Sequence, residues 1–104
     1  MKRKLFTKEE VMLCTYIARF GRAQFDEANI HFLENRSLPS IKMKVANIAS
    51  MLAEEGFETH QDISKLTGKK QGEKGRKTNW DIVSNLVDYN QQELYKICQK
   101  TAKL

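Results

Sequence analysis

Apolar residues recur every three or four positions along most of the chain, a spacing that is typical of amphipathic helices. Over residues 7–20 they form two adjoining strips, which predicts a helix that is covered on more than one side. Residues 26–35 repeat the pattern over a shorter distance. Their predicted apolar positions are Ala28, Ile30, Phe32 and Leu33. A third helix is predicted over about 38–55, with one clean apolar stripe. That stripe consists of Ile41, Val45, Ile48, Ala49 and Leu52.

Two further helices are predicted in the last quarter of the chain. The first, over about 79–88, includes Trp80, the only tryptophan of the chain, in its apolar set. We therefore predict that Trp80 lies in the core. The second, over about 91–102, would turn its own apolar set inward. That set is Leu94, Ile97, Cys98 and Thr101.

Capping signals mark the ends of these helices. Thr7 is followed three positions later by Glu10, and Asn90 by Glu93, which are the patterns of a capping box. Single residues are predicted to cap the other ends: Ser37 and Thr78 at N-termini, Gly21 and Gly56 at C-termini. The signals therefore agree with the bounds that the apolar spacing predicts.

The length and composition favour one helical domain. The 104 residues allow a single modest core, and 40% hydrophobic residues with one proline and five glycines favour helices over turn-rich strands. We predict an all-α domain over residues 1–104. Its first three helices, at about 7–20, 26–35 and 38–55, would form a tri-helical bundle like that of helix-turn-helix proteins. Two C-terminal helices, at about 79–88 and 91–102, would pack against it.

The formal charge of +5 fits an anionic partner such as nucleic acid, although a soluble domain can also happen to be basic. Residues 67–77, TGKKQGEKGRK, contain three glycines, five basic residues and one acid, which predicts a flexible basic loop. The loop could follow a phosphate backbone or could serve as a solvated linker. Its basic residues are Lys69, Lys70, Lys74, Arg76 and Lys77. Lys2, Arg3 and Lys4 are predicted to act as an N-terminal arm.

No set of residues predicts catalysis, and none predicts a cofactor. Cys14 and Cys98 lie far apart in apolar runs and are predicted to be small buried residues rather than a disulfide or a metal pair. His31 is predicted to lie on a helix surface and His60 in a loop. We therefore expect a protein that is not an enzyme. Without a signal-peptide pattern or a long apolar run, it is expected to be cytoplasmic, with no membrane partner.

The third helix carries the candidate binding residues. Opposite its apolar stripe, the pattern places polar and basic side chains that could meet DNA. Asparagine suits adenine, and lysine suits guanine or phosphate, while the helix N-terminus favours a phosphate oxygen. The predicted contacts are Arg36, Ser37, Ser40, Lys42, Lys44 and Asn47. The same residue types are ordinary on a solvated helix, and Met43 with Met51 could instead mark a protein contact.

The segment 36–48, RSLPSIKMKVANI, carries a resemblance to known families. With the start FTKEE at residues 6–10, it resembles the tri-helical Myb/SANT-like, homeodomain-like pattern, in which a third helix begins Arg-Ser/Thr-x-x-Ser-Ile/Val. It is also similar to the N-terminal region of HNH-type restriction endonucleases, where a basic loop and a tryptophan-containing helix follow, as GKKQGEKGRKTNW does here. This resemblance implies a DNA-binding or target-recognition role for Arg36, Ser40, Lys44 and Asn47.

The chain departs from the endonuclease pattern in two ways. The family often continues Ser-Leu-Asp-Pro after the third helix, where this chain has SMLAEEG. The nuclease half is also missing, because the two histidines lie outside the histidine–asparagine context that an HNH metal site needs.

Two functions are therefore expected. The first is a non-catalytic module that binds double-stranded DNA, with the third helix in the major groove and the basic loop on phosphates. The alternative is a protein-interaction module, either an adaptor or inhibitor using the Met43/Met51 face or a homodimer. A DNA binder should place Arg36, Lys42, Lys44 and the loop lysines on one continuous face. An interaction module should show a contiguous apolar patch.

Overall fold

A computed structural model describes residues 6–34, 36–63 and 79–102 of the chain. These residues form five helices: α1 Lys8–Phe20, α2 Glu27–Glu34, α3 Leu38–Glu54, α4 Trp80–Leu86 and α5 Gln91–Ala102. No strand occurs among the residues so described. The all-α class is thereby confirmed, and the predicted helix bounds hold to within two residues. The predicted basic loop at 67–77 and the N-terminal arm lie outside the described residues.

Helix α1 lies at the centre of the helical body. It packs against each of the other four helices, and α2 also packs on α3. Its residues from Glu10 to Ala18 are all buried, as the two adjoining apolar strips predicted. Cys14 and Cys98 are buried free thiols, so the prediction of small core residues is confirmed.

The helix ends follow most of the predicted capping signals. Thr7 and Glu10 form a reciprocal capping box, with Thr7 N–H donating to Glu10 Oε1 at 2.7 Å and Glu10 N–H to Thr7 Oγ1 at 3.1 Å. Gly21 ends α1 with φ +89°, a conformation that favours glycine. Gly56, with φ +86°, follows the end of α3, where Phe57 N–H donates back to the carbonyl of Leu52. This is the hydrogen bond of a Schellman motif.

Two predicted caps differ from the structure. Ser37 occupies the N-cap position of α3, but its hydroxyl donates to Ser40 Oγ at 2.7 Å instead of capping the backbone. The N-cap of α4 is Asn79, in the left-handed region with φ +65°, rather than Thr78, which lies outside the described residues. Asn79 adopts this conformation more readily than most residues because its short amide can bond locally.

Most of the residues predicted to form the buried apolar face of α2 are exposed. Ile30 is buried, but Ala28 is exposed, and the side chains of Phe32 and Leu33 are 90% and 47% exposed. Ile30 and Phe32 lie about 200° apart around a helix, so a two-turn helix with one covered side buries only one of them.

The structure also tests the predictions made for Met43, Met51 and Trp80. Met51 is buried, so the predicted Met43/Met51 surface does not exist, whereas Met43 is exposed. Met51 follows Ile48 by three residues and so falls on the covered side of α3. Trp80 packs against the core beside Phe57, as expected.

Candidate nucleic-acid interface

An ion pair inside the helical body joins α1 to the start of α3. The guanidinium of Arg36 donates to both carboxylate oxygens of Glu10, with 2.8 Å between Nη2 and Oε1. The two side chains are only 7% and 1% exposed. Because Glu10 Oε1 also accepts the Thr7 N–H, one carboxylate both completes the capping box of α1 and neutralises Arg36.

The aromatic ring of Phe6 contacts two buried cations. The guanidinium carbon of Arg36 lies 3.9 Å from the ring centroid, and Lys44 Nζ lies 5.4 Å from it. Lys44 Nζ also donates to Asn79 Oδ1 at 2.7 Å. We call these five residues the charge cluster: Phe6, Glu10, Arg36, Lys44 and Asn79. It joins the beginnings of α1, α3 and α4.

Burial and pairing act against each other on the cluster's titratable groups. Burial alone would raise the pKa of Glu10, but hydrogen bonds from Arg36 and from the Thr7 backbone outweigh it, so the pKa is lowered. Burial lowers the pKa of Lys44, since an ammonium loses hydration inside the body. Burial raises the pKa of the nearby Cys14 thiol to about 12. Glu10 is therefore held as the anion that Arg36 requires.

The structure separates the predicted contact residues of α3 into two groups. Arg36 and Lys44 point into the body, where Glu10 and Asn79 bind their charged groups. The other four members reach the outer surface. Of these, Ser37, Ser40 and Lys42 are exposed, and Asn47 is half-buried. The predicted loop contacts Lys69, Lys70, Lys74, Arg76 and Lys77 lie outside the described residues.

The sequence contained a signal for the inward direction of Lys44. Lys44 follows Ile41 by three residues and precedes Ile48 by four, so it shares their covered side. The same reasoning applies to Glu10, which begins the buried stretch of α1. The partner Asn79 had no comparable signal, because a contact across 35 positions depends on tertiary packing.

Charge is distributed unevenly along the sequence. The described residues contain eight basic and twelve acidic side chains, a net charge of −4. The remaining residues contain ten basic side chains and one acidic, a net charge of +9. The positive excess of the chain therefore belongs to the sequence stretches 1–5, 64–78 and 103–104.

A second ion pair lies beside a shallow groove between α2 and α3. Arg22 donates from Nε and Nη2 to the two carboxylate oxygens of Glu27, at 2.8 Å each. These hydrogen bonds outweigh the effect of burial and lower the pKa of Glu27, and the nearby charge of Lys42 adds to the shift. The groove has a volume of about 450 Å³, and its α3 wall includes Lys42, Val45 and Ala46.

Comparison with protein-family models, curated proteins and solved structures gives no match to this chain. The resemblance to HNH-type endonuclease N-terminal regions thus stays an expectation from the motif. In residues 6–34, 36–63 and 79–102, no cluster of three or more metal-ligating side chains occurs. None of the helices within those ranges has the length and apolar character needed to cross a membrane.

Proposed function

We propose that the protein binds double-stranded DNA without catalysing a reaction. The observation that supports this function is the uneven charge along the sequence: residues 1–5 and 64–78 contain nine basic side chains and one acid, whereas residues 6–63 and 79–102 carry a net charge of −4. Basic stretches beside a compact domain attract the phosphate backbone and give affinity that does not depend on sequence. The net negative charge of the other residues repels the duplex, so the basic stretches would supply most of the attraction.

The outer surface of α3 supplies the groups that would enter the major groove. Lys42 is exposed and can bind a phosphate or the edge of guanine, and the half-buried Asn47 carries the amide that suits adenine. Ser37 and Ser40 lie exposed at the N-terminus of α3, where backbone N–H groups favour phosphate oxygens. Arg36 and Lys44 are not assigned as contacts, because both charged groups have partners inside the body.

The test is fluorescence anisotropy with a random-sequence duplex, from about 50 to 200 mM salt. We would compare wild type with Lys42→Met and with a triple variant in which Lys69, Lys70 and Lys74 become alanine. Removing one lysine–phosphate interaction should reduce the slope of log affinity against log salt by about 0.9. The slope should therefore fall by about 1 for Lys42→Met and by up to about 3 for the triple variant.

A control removes the same kind of charge from a different helix. Lys96→Ala combined with Lys100→Ala takes two exposed lysines from α5 and should leave the slope close to that of wild type. Absence of binding at 50 mM salt, or an equal response to all three variants, would contradict DNA binding through α3 and the basic stretch.

A specific observation favours a second function, that of a protein-interaction module. Phe32 is 90% exposed and its neighbour Leu33 is 47% exposed, so two large apolar side chains adjoin on the surface of α2, and contiguous apolar surface of this kind marks protein contacts. Light scattering coupled to size exclusion would compare wild type with Phe32→Ser. A dimer that the substitution dissociates would support this function, whereas a monomer in both samples would remove the homodimer version of it.

A further inference from the structure

The outer surface of α3 exposes one large apolar side chain among polar ones. Of the leucine, isoleucine, valine and methionine residues in α3, only Met43 is exposed, at 60%. Ser40, three residues earlier, and Asn47, four residues later, lie on the same side of the helix, and the exposed Lys42 flanks them. Met43 is therefore a single large apolar group on a polar surface.

An isolated apolar side chain of this kind suits the edge of a base better than the surface of a protein. Protein contacts use contiguous apolar patches, and the other large apolar side chains that are exposed in the described ranges lie outside α3. They are Phe32, Leu33, Phe57 and Tyr89. In the major groove, each thymine presents one apolar group, its C5-methyl, beside the polar atoms of the base edges. Met43 with its polar neighbours matches this arrangement.

Asn47 supplies the polar half of the same surface. Its side-chain amide forms no hydrogen bond with the described residues, so its donor and its acceptor are both available to a base. An asparagine amide can bond to N6 and N7 of adenine at once. Four residues of a helix rise by about 6 Å, and successive base pairs are about 3.4 Å apart. Met43 and Asn47 can therefore meet base pairs that are about two steps apart or closer.

We propose that the outer surface of α3 reads A·T pairs in the major groove, with Met43 contacting the methyl group of thymine and Asn47 bonding to adenine. The inference rests on the proposed function and names the kind of duplex that this surface prefers. The unbranched thioether of Met43 can adjust its rotamers to reach the methyl group. One methyl group buried in this contact should raise the affinity about fourfold.

The test removes the methyl group from the DNA alone. Uracil pairs with adenine as thymine does and lacks only the C5-methyl, so a duplex of alternating adenine and thymine is compared with the same duplex containing uracil. Fluorescence anisotropy at about 50 mM salt gives the two dissociation constants. Wild type should bind the thymine duplex about fourfold more tightly, and Met43→Ala should bind both duplexes equally. Because the duplexes carry the same charge, phosphate contacts cancel in this ratio.

Two further variants separate Met43 from its surroundings. Tyr89→Ala removes another large side chain, which is 38% exposed, and should keep the fourfold ratio. Asn47→Ala should weaken binding to both duplexes by about fivefold or more and should also keep the ratio. Met43 is exposed, so Met43→Ala should unfold at nearly the same urea concentration as wild type. That measurement shows that a changed ratio does not come from unfolding.

Other outcomes overturn the inference in distinguishable ways. If wild type binds both duplexes equally, Met43 does not read the methyl group, and the proposed function stands. If the fourfold ratio persists in Met43→Ala, another group or the shape of the duplex discriminates, which also overturns the inference. If Asn47→Ala binds as tightly as wild type, the adenine contact is wrong. If wild type binds neither duplex, the proposed function fails, and the inference fails with it.

Discussion

The helical body holds two arginine–glutamate pairs with similar bonding and different surroundings. In both pairs the arginine donates from two nitrogens to the two oxygens of one carboxylate. Arg36 and Glu10 are both buried, at 7% and 1% exposure, whereas Arg22 is 42% exposed over a Glu27 that is 4% exposed. One pair is closed off from water, and the other keeps its cation at the surface.

The difference shows what a buried charge does in this fold. A carboxylate that has lost its hydration depends on its partner, so the partner's removal leaves an uncompensated charge. Glu10 has this dependence, and its removal would also open the capping box of α1. Both carboxylates lie in the first turn of a helix, where the helix dipole favours an anion, but only Glu27 has a second cation, Lys42, that further lowers its pKa. The first pair therefore joins α1 to the start of α3, whereas the second links α2 to its preceding loop, and Arg22 also donates to the carbonyl of Asp62 at 3.3 Å.

The largest effect is expected from Arg36→Met. The variant leaves Glu10 buried without its cation, and we expect the free energy of unfolding to fall by about 3–5 kcal/mol, as measured in urea. Adding Glu10→Gln should restore part of this loss, because a neutral glutamine can still close a capping box. A double variant as unstable as the single one would show that the charge of Glu10 is not the cause.

A smaller loss is expected from Arg22→Met, the same substitution in the half-exposed pair. Arg22 is 42% exposed, so water can reach Glu27 from the surface once the guanidinium is removed, and the free energy of unfolding should fall by about 1–2 kcal/mol. The two variants should be measured side by side in urea. Equal losses would contradict the distinction between the buried pair and the half-exposed pair.

The pH dependence of stability should report both carboxylates. The pKa values of Glu10 and Glu27 are lowered below the ordinary value of 4.5 in the folded protein. A lowered folded pKa gives stability that is present above the unfolded pKa and is lost as the pH falls through the folded pKa. We therefore expect the free energy of unfolding to decrease below about pH 4.5, with little change from Glu10 and Glu27 between pH 5 and 7.

Two single variants would separate the contributions of Glu10 and Glu27 to the loss of stability at low pH. Glu10→Gln should remove the part of the pH dependence that comes from Glu10, and Glu27→Gln the part that comes from Glu27. The free energy of unfolding would be measured in urea at a series of pH values. An acid dependence unchanged in both variants would show that neither pair is responsible.

Sequence spacing predicted the helices well because apolar period and capping residues are local properties. The reciprocal capping box at Thr7 and Glu10 and the glycine after α3 needed no tertiary information. The direction of Lys44 was also accessible, since Ile41 and Ile48 flank it at helical spacing. It was assigned to the outer face because lysine is ordinarily exposed.

The rest depended on packing between distant segments. Nothing in the local sequence pairs Arg36 with Glu10, which is 26 positions away, or Lys44 with Asn79, which is 35 positions away. The exposure of Phe32 was also unpredictable, because a helix of eight residues can be covered on one side or two. Predictions from residue type therefore put these side chains in the wrong surroundings. The packing of neighbouring helices determines which of them are buried.

The smallest change in the free energy of unfolding is expected from substitution of Phe32, an exposed apolar side chain. At 90% exposure the ring packs against little of the protein, so Phe32→Ser should change the free energy of unfolding by less than about 0.5 kcal/mol. The matched control is Ile30→Ala, two positions earlier and fully buried, which should cost about 2–5 kcal/mol. A large loss from Phe32→Ser would mean that a second molecule covers the ring, and the loss should then depend on protein concentration. Thermal unfolding at two concentrations separates these cases, because a monomer unfolds at the same temperature in both.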